Sequence, residues 1–258
     1  MKSGYIDLRG HQLYSYEWAN NGEALLLMHG GLSQTSHFDQ TVLPAVEDNF
    51  HIFGYDRTGH GYTGDQDGSM HFDFQYKETV AYLEDVVKEP AHLIGHSDGA
   101  IISLMVALHR PDLVKSVVLF GGLFHFSGTL PMPDFDGNIS QADRDEYEAT
   151  SPDAPETQEA KIRKMFSIWY SEPTYTVSDI AKIQCPALVL VGDDDVIAHN
   201  HTIEMFEALP QGQLAVIPGT SHQANKEKPE IFQLFIHEFL NDLSYPQTKM
   251  PMRRGRAE

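Results

Sequence analysis

The chain of 258 residues is 41% hydrophobic and 21% charged, with 20 Gly and 14 Pro. This globular balance excludes disordered, collagen-like and low-complexity classes. A formal net charge of −19 repels phosphate backbones, so no nucleic-acid partner is expected.

One cysteine, Cys185, leaves no disulfide framework and no paired-cysteine metal site. It stands just before Pro186 and an apolar run, as an inert core thiol would. No window approaches 18 uninterrupted apolar residues, so no membrane partner is expected. The opening residues MKSGYIDLRG lack an apolar signal region. A cytoplasmic location is the corresponding expectation.

In chain order, residues 4–18 read as a hairpin turning at Arg9-Gly10. Ala24–Met28 is an apolar run ending at His29-Gly30-Gly31, which suits a strand buried on both faces. Residues 38–47 are predicted helical and Phe50–Tyr55 a strand. Phe74–Val87 has helical apolar spacing. Ala91–Gly95 (strand), Gly99–Leu108 (helix) and Val114–Phe120 (strand) continue the alternation. Residues 122–180 break it, with several prolines, no good strand and one helical piece at Glu159–Tyr170. Ala187–Val191, Thr202–Leu209, Leu214–Ile217 and Pro229–Leu243 then restore strand, helix, strand and helix.

Such alternation predicts an α/β fold, a mostly parallel, doubly wound sheet. The expected organisation is one domain over residues 1–245. The insertion at about 122–180 would cover the carboxyl edge of the sheet as a helical lid, where such sheets bind ligands. The only basic run, Arg253, Arg254 and Arg256, falls in a tail, 246–258, expected to be disordered.

Gly95-His96-Ser97-Asp98-Gly99 lies between an apolar strand and an apolar helix. The pattern G-x-S-x-G there predicts a sharp turn that holds Ser97 strained, with its hydroxyl exposed above the sheet. Side chains at 95 or 99 would strike the neighbouring helix or strand. A serine hydroxyl needs a base, and the base needs an orienting group. Asp193, Asp194 and Asp195 end a later strand, and His222 follows the next one. The order Ser, Asp, His is therefore available. The helix that starts after Ser97 offers the Asp98 N–H to a developing oxyanion.

With these segments on the page, the chain resembles an α/β-hydrolase over roughly residues 4–243. The carrying segments are His29-Gly30-Gly31, Gly54-Tyr55-Asp56-Arg57-Thr58-Gly59-His60-Gly61, the turn at Ser97, Cys185-Pro186 and Pro218-Gly219 with His222. Ser-Asp-Gly after the turn is similar to valacyclovir-hydrolase-like esterases. The resemblance implies Ser97 as nucleophile, His222 as general base and Asp195, three residues after Gly192, as the orienting acid. It also implies Gly31 N–H as the second oxyanion donor.

Two readings of the Asp98 side chain stand open. One is a first-turn carboxylate favoured by the helix dipole. The other, implied by the resemblance, is an anchor for a substrate amine, which needs compensation because a carboxylate beside an oxyanion opposes catalysis. His125, at the start of the insertion, is a candidate pocket residue. His29 and His96 are expected to satisfy backbone groups near the turn, and Arg57 and His60 to fix the loop after the Gly54–Gly61 segment. Aromatic and Met side chains in the insertion suggest a mainly apolar site.

Fourteen histidines raise the question of a metal. His199 and His201 do not share a helical face, and no zinc-binding pattern exists, so no metal and no cofactor are expected. The reading is a serine hydrolase of small carboxylic esters, including amino-acid esters, thioesters and lactones, acting as a monomer or small homo-oligomer. Carbon–carbon bond hydrolysis, perhydrolysis and a non-turnover ligand receptor are the alternatives.

Overall fold

The computed structural model describes residues 1–19 and 21–252. Arg253, Arg254 and Arg256 lie outside the described residues, and residues 246–252 carry no helix or strand. Among the described residues, eight strands form one sheet in the order β1-β2-β4-β3-β5-β6-β7-β8. They are β1 (Lys2–Leu8), β2 (His11–Trp18), β3 (Glu23–Met28), β4 (Phe50–Asp56), β5 (Ala91–His96), β6 (Val114–Phe120), β7 (Ala187–Asp194) and β8 (Gly212–Ser221). The first two form the expected hairpin at Arg9-Gly10, and β2 runs antiparallel to β4. All later pairs are parallel.

The central strands are continuous apolar runs because both faces are covered. Leu26 and Met28 of β3 point into one core cluster, and Leu25 and Leu27 into the other. The first core is covered by helices α1 (Phe72–Tyr82) and α2 (Asp98–His109). The insertion carries α3 (Gln141–Thr150), α4 (Gln158–Trp169) and α5 (Val177–Ile180), and α6 (His199–Ala208) follows β7. After β8 come α7 (Ala224–Glu227) and α8 (Pro229–Asn241), and α8 covers the second core with Phe232, Ile236, Phe239 and Leu240. This is the doubly wound α/β-hydrolase fold.

Residues 38–47 are not the expected helix. They form two short 3₁₀ turns, Thr35–Phe38 and Leu43–Ala45. Pro44 has no N–H with which to continue a helical ladder. The carbonyls of Gln40 and Thr41 instead accept from the Gln233 side chain. The apolar spacing still served its purpose, since Phe38, Val42, Leu43 and Val46 are buried. The helix expected over 74–87 starts at Phe72 and winds into a π turn, Leu83–Val87, that closes at left-handed Lys88. Helix α3 has no counterpart in the sequence reading. It buries no residue, so it has no apolar stripe to detect, and its start rests on the Ser140 N-cap.

The join between β5 and α2 positions everything that follows. A Cβ at Gly95 would run into the Gly99 carbonyl, and one at Gly99 would run into the Met28 carbonyl. Both obstacles are backbone, so neither can swing aside. We expect Gly99→Ala to lower the melting temperature by several degrees, because overpacking of this kind costs about 1–3 kcal/mol. A thermal scan of the variant with an unchanged midpoint would contradict this packing.

Candidate active site

Ser97 sits between β5 and α2 with φ +54° and ψ −116°, a backbone conformation that L-residues rarely adopt. Three bonds hold it there. Its N–H donates to the Phe120 carbonyl at the end of β6 (2.8 Å), and its carbonyl accepts from Ala100 (2.9 Å) and Ile101 (3.1 Å).

His222 follows β8 directly, and Asp195 follows β7. The His222 Nδ1–H donates to Asp195 Oδ1 at 2.7 Å. The same oxygen accepts the Ile197 N–H at 3.0 Å. Burial pushes the Asp195 carboxyl up. The His222 hydrogen bond and charge and the Ile197 N–H outweigh it, so the group lies below the usual carboxylate range. Asp193, by contrast, binds the Gly219 and Thr220 N–H groups of the loop before His222. It shapes that loop and has no contact with the imidazole. Gly121, at φ +59°, leaves the room the imidazole fills, since a Cβ there would stand 2.7 Å from His222 Cε1.

His96 performs a backbone role, as the sequence suggested. Its Nε2–H donates to the His222 carbonyl at 3.0 Å, and its ring stacks on Phe120. Burial first, then the neighbouring His222, pulls its pKa down to about 3, so it stays neutral. Its Nε2–H is thus spent on the backbone beside His222.

Gly30, Gly31, Ser97, Asp98 and His222 line one cavity of about 400 Å³. Its far wall comes from the insertion through Thr129, Met132, Asp143, Glu146, Trp169 and Glu172. Asn225 and Lys226 of α7 complete one side. The insertion thus shares one cavity with Ser97 and His222. Glu146 of α3 clasps His37 (2.7 Å) and Gln34 (3.2 Å) just after the Gly30-Gly31 loop. A second cavity of about 330 Å³ shares Leu32, Ser33, His37, Asp143 and Glu146 with the first. Phe135 and Phe166 of the insertion face this second space, whereas Phe124 and Met165 are core.

Asp98 is 2% exposed. Its Oδ1 accepts the Trp169 indole N–H at 2.9 Å, and its Oδ2 has no partner. Burial raises its pKa, opposed first by the Arg57 charge and then by the Trp169 hydrogen bond. The Arg57 charge thus offsets part of the cost of burying the Asp98 carboxylate. Sequence reasoning missed both partners. Trp169 was legible only as one member of an apolar inventory. The Arg57 side chain does not hold the loop after its segment but reaches back to the His29 and Gly30 carbonyls.

His125 does not reach this cavity. It caps the turn Phe126–Gly128, its Nδ1 engaged by Ser127, and its backbone bridges to Thr174. His201 is likewise internal, stacked on Phe124 with Nε2 accepting the Phe124 N–H at 3.1 Å. Among the described residues, no group of three or more His, Cys, Asp or Glu could hold a metal ion. No helix there is long and apolar enough to cross a membrane. The Cys185 thiol is pushed up to about 12 by burial, as an inert thiol should be.

Known proteins share this arrangement of chain. The sequence is 26% identical over 259 residues to the (E)-2-((N-methylformamido)methylene)succinate hydrolase of Acinetobacter baylyi, covering 89% of this chain and 95% of that one. It is 24% identical to a putative carbamate hydrolase, RutD, of Pseudomonas savastanoi, over 90% of this chain and 98% of the other. The solved meta-cleavage product hydrolase CumD of Pseudomonas fluorescens superposes with a TM-score of 0.77 at 21% identity, covering 92% and 97% of the two chains. Residues 25–232 match the Alpha/beta hydrolase family, and the chain belongs to that family.

Proposed function

We propose that the protein hydrolyses small carboxylic esters through an acyl-enzyme on Ser97. The observation that carries this reading is the strained serine at the mouth of α2, in one cavity with a histidine already oriented by a buried carboxylate. His222 takes the Ser97 proton as the hydroxyl attacks the acyl carbon, then returns it to the departing alkoxide. Asp195 holds the Nδ1–H tautomer and stabilises the imidazolium that forms. The Asp98 N–H, at the first position of α2, has no intrahelical acceptor and is free to receive the oxyanion. The Gly31 N–H is the second donor. Water repeats the sequence on the acyl-enzyme and frees the acid.

The unpartnered Asp98 Oδ2 favours a narrower class, esters of amino acids. A buried carboxylate oxygen without a donor is a costly arrangement; Oδ2 lies covered beside Gly31, and a substrate ammonium would satisfy it where binding uncovers it. Asp98, Asp143, Glu146 and Glu172 line the cavity against Lys226 alone, a balance that suits a neutral or cationic ligand over an anionic one.

Two outcomes are expected. Ser97→Ala and His222→Ala should each reduce p-nitrophenyl butyrate turnover by at least about 10³-fold in the presence of EDTA, because the three groups act as a unit. Either variant retaining a tenth of wild-type turnover would remove that residue from the mechanism. Asp98→Asn keeps the acceptor for Trp169 and deletes the charge. Its kcat/KM should fall at least about tenfold for alanyl esters and stay within about twofold for propionyl esters, given the usual worth of a buried ion pair. Equal losses on both would leave Asp98 as an anchor for the insertion and nothing more.

A further inference from the structure

We propose that Arg57 is a positioning residue that fixes the Gly30–Gly31 peptide so that its N–H faces the reacting acyl oxygen. The inference rests on the ester-hydrolysis reading of the site.

Arg57 leaves the end of β4 and is 1% exposed. Its guanidinium is spent almost wholly on one loop. Nη1 donates to the His29 carbonyl, and Nη2 donates to the Gly30 carbonyl at 3.0 Å. Nε donates to Gln75 Oε1 at 2.6 Å, which ties the group to α1. The His29 ring adds to the clamp. Its Nδ1–H donates to the Gly30 carbonyl at 2.8 Å, and its Nε2 accepts the Arg57 N–H at 3.1 Å. The Gly30 carbonyl thus has two donors aimed at it from inside the protein.

The Gly30–Gly31 peptide is trans. In a trans peptide the carbonyl and the next N–H point in opposite directions. Pinning the Gly30 carbonyl inward therefore turns the Gly31 N–H outward, to the cavity that Gly31 lines. The peptide also lies beside the nucleophile, for a Cβ on Gly30 would stand 3.4 Å from Ser97 Cβ. Without the clamp, two consecutive glycines would leave this peptide free to rotate. A planar fork with donors in fixed directions can hold two successive carbonyls, whereas the single ammonium of a lysine cannot keep those and Gln75 together.

The decisive experiment compares wild type with Arg57→Lys, which keeps the charge near Asp98 and deletes the fork. We expect kcat for p-nitrophenyl butyrate to fall about 10²-fold with KM within about twofold, the effect of disabling one oxyanion donor. Affinity for a trifluoromethyl ketone analogue, whose adduct with Ser97 carries an oxyanion, should fall by the same factor. Affinity for the unreactive secondary alcohol analogue should not change. A residue that merely stabilises the fold would lower the melting temperature and leave that ratio intact. Wild-type kcat in the folded variant overturns the proposal. Should Arg57→Lys fail to fold, Gln75→Met, which frees Nε outside the cavity, decides in its place. About a tenfold loss of kcat and ketone affinity supports the clamp, and wild-type values overturn it. If wild type neither hydrolyses esters nor binds the ketone, the ester reading fails on its own. The crystal structure of the variant then tests the clamp: a rotated Gly30–Gly31 peptide supports it and an unmoved one overturns it.

Discussion

The molecule is organised around a backbone-to-backbone approach at the end of β5, where the chain reverses into α2 with no room for a side chain at Gly95 or Gly99. Because α2 packs that close to the carboxyl end of β3, its first turn lies beside the His29–Gly31 loop. That proximity brings together Ser97, the N–H groups at the helix start and the loop peptide. The left-handed conformation at Ser97 is unfavourable by roughly 1–3 kcal/mol. It persists because the Phe120 carbonyl and the helix itself leave the residue no alternative. The order of neighbours β5-β6-β7-β8 then sets Asp195 and His222 in successive loops on the same edge. That Ser97, Asp195 and His222 gather on one edge is a consequence of strand adjacency, although the three are spread over more than a hundred residues.

Charge is the second constraint. Arg57, Asp98, Glu78 and Asp56 are all buried close to one another. Burial pulls the arginine down and the carboxylic acids up, and their mutual attraction opposes it. Asp56 and Glu78 are held chiefly by the Thr35, Tyr62 and Thr58 donors, whereas Asp98 has the Arg57 charge as the leading offset to its burial. The Asp98 carboxylate can therefore lie buried beside Ser97, where an isolated one would be far costlier.

Much of this was legible in the amino-acid order, for identifiable reasons. Parallel strands announce themselves as runs such as Ala24–Met28 because both faces are buried. The serine turn is readable because glycine at 95 and 99 is sterically compelled. Asp195 could be singled out from three adjacent aspartates only by resemblance, and spacing alone could not show how differently the structure uses them. Asp193 is occupied by the loop it shapes, whereas Asp195 meets the imidazole. Trp169 and Arg57 escaped because their partners are remote in sequence, one across 71 residues and the other across 27 or 28. No local pattern encodes such meetings. His125 was misjudged for the complementary reason. Position at the start of an insertion says where a residue enters, and a backbone cap at Phe126–Gly128 turned it elsewhere. Helix α3 was invisible since periodicity reports burial, and it buries nothing.

That last property bears on how such a protein changes over generations. Helix α3 forms part of the cavity wall through Asp143 and Glu146, yet it contributes no side chain to either core. Replacements on it alter what the cavity admits while leaving the folding free energy almost untouched, since exposed substitutions typically shift stability by no more than about 0.5 kcal/mol. The sheet and its glycines tolerate little, and the helix above them tolerates a great deal. Descendants of this chain can therefore reshape the cavity wall on α3 without first accumulating stabilising mutations, keeping the sheet below it as an inheritance.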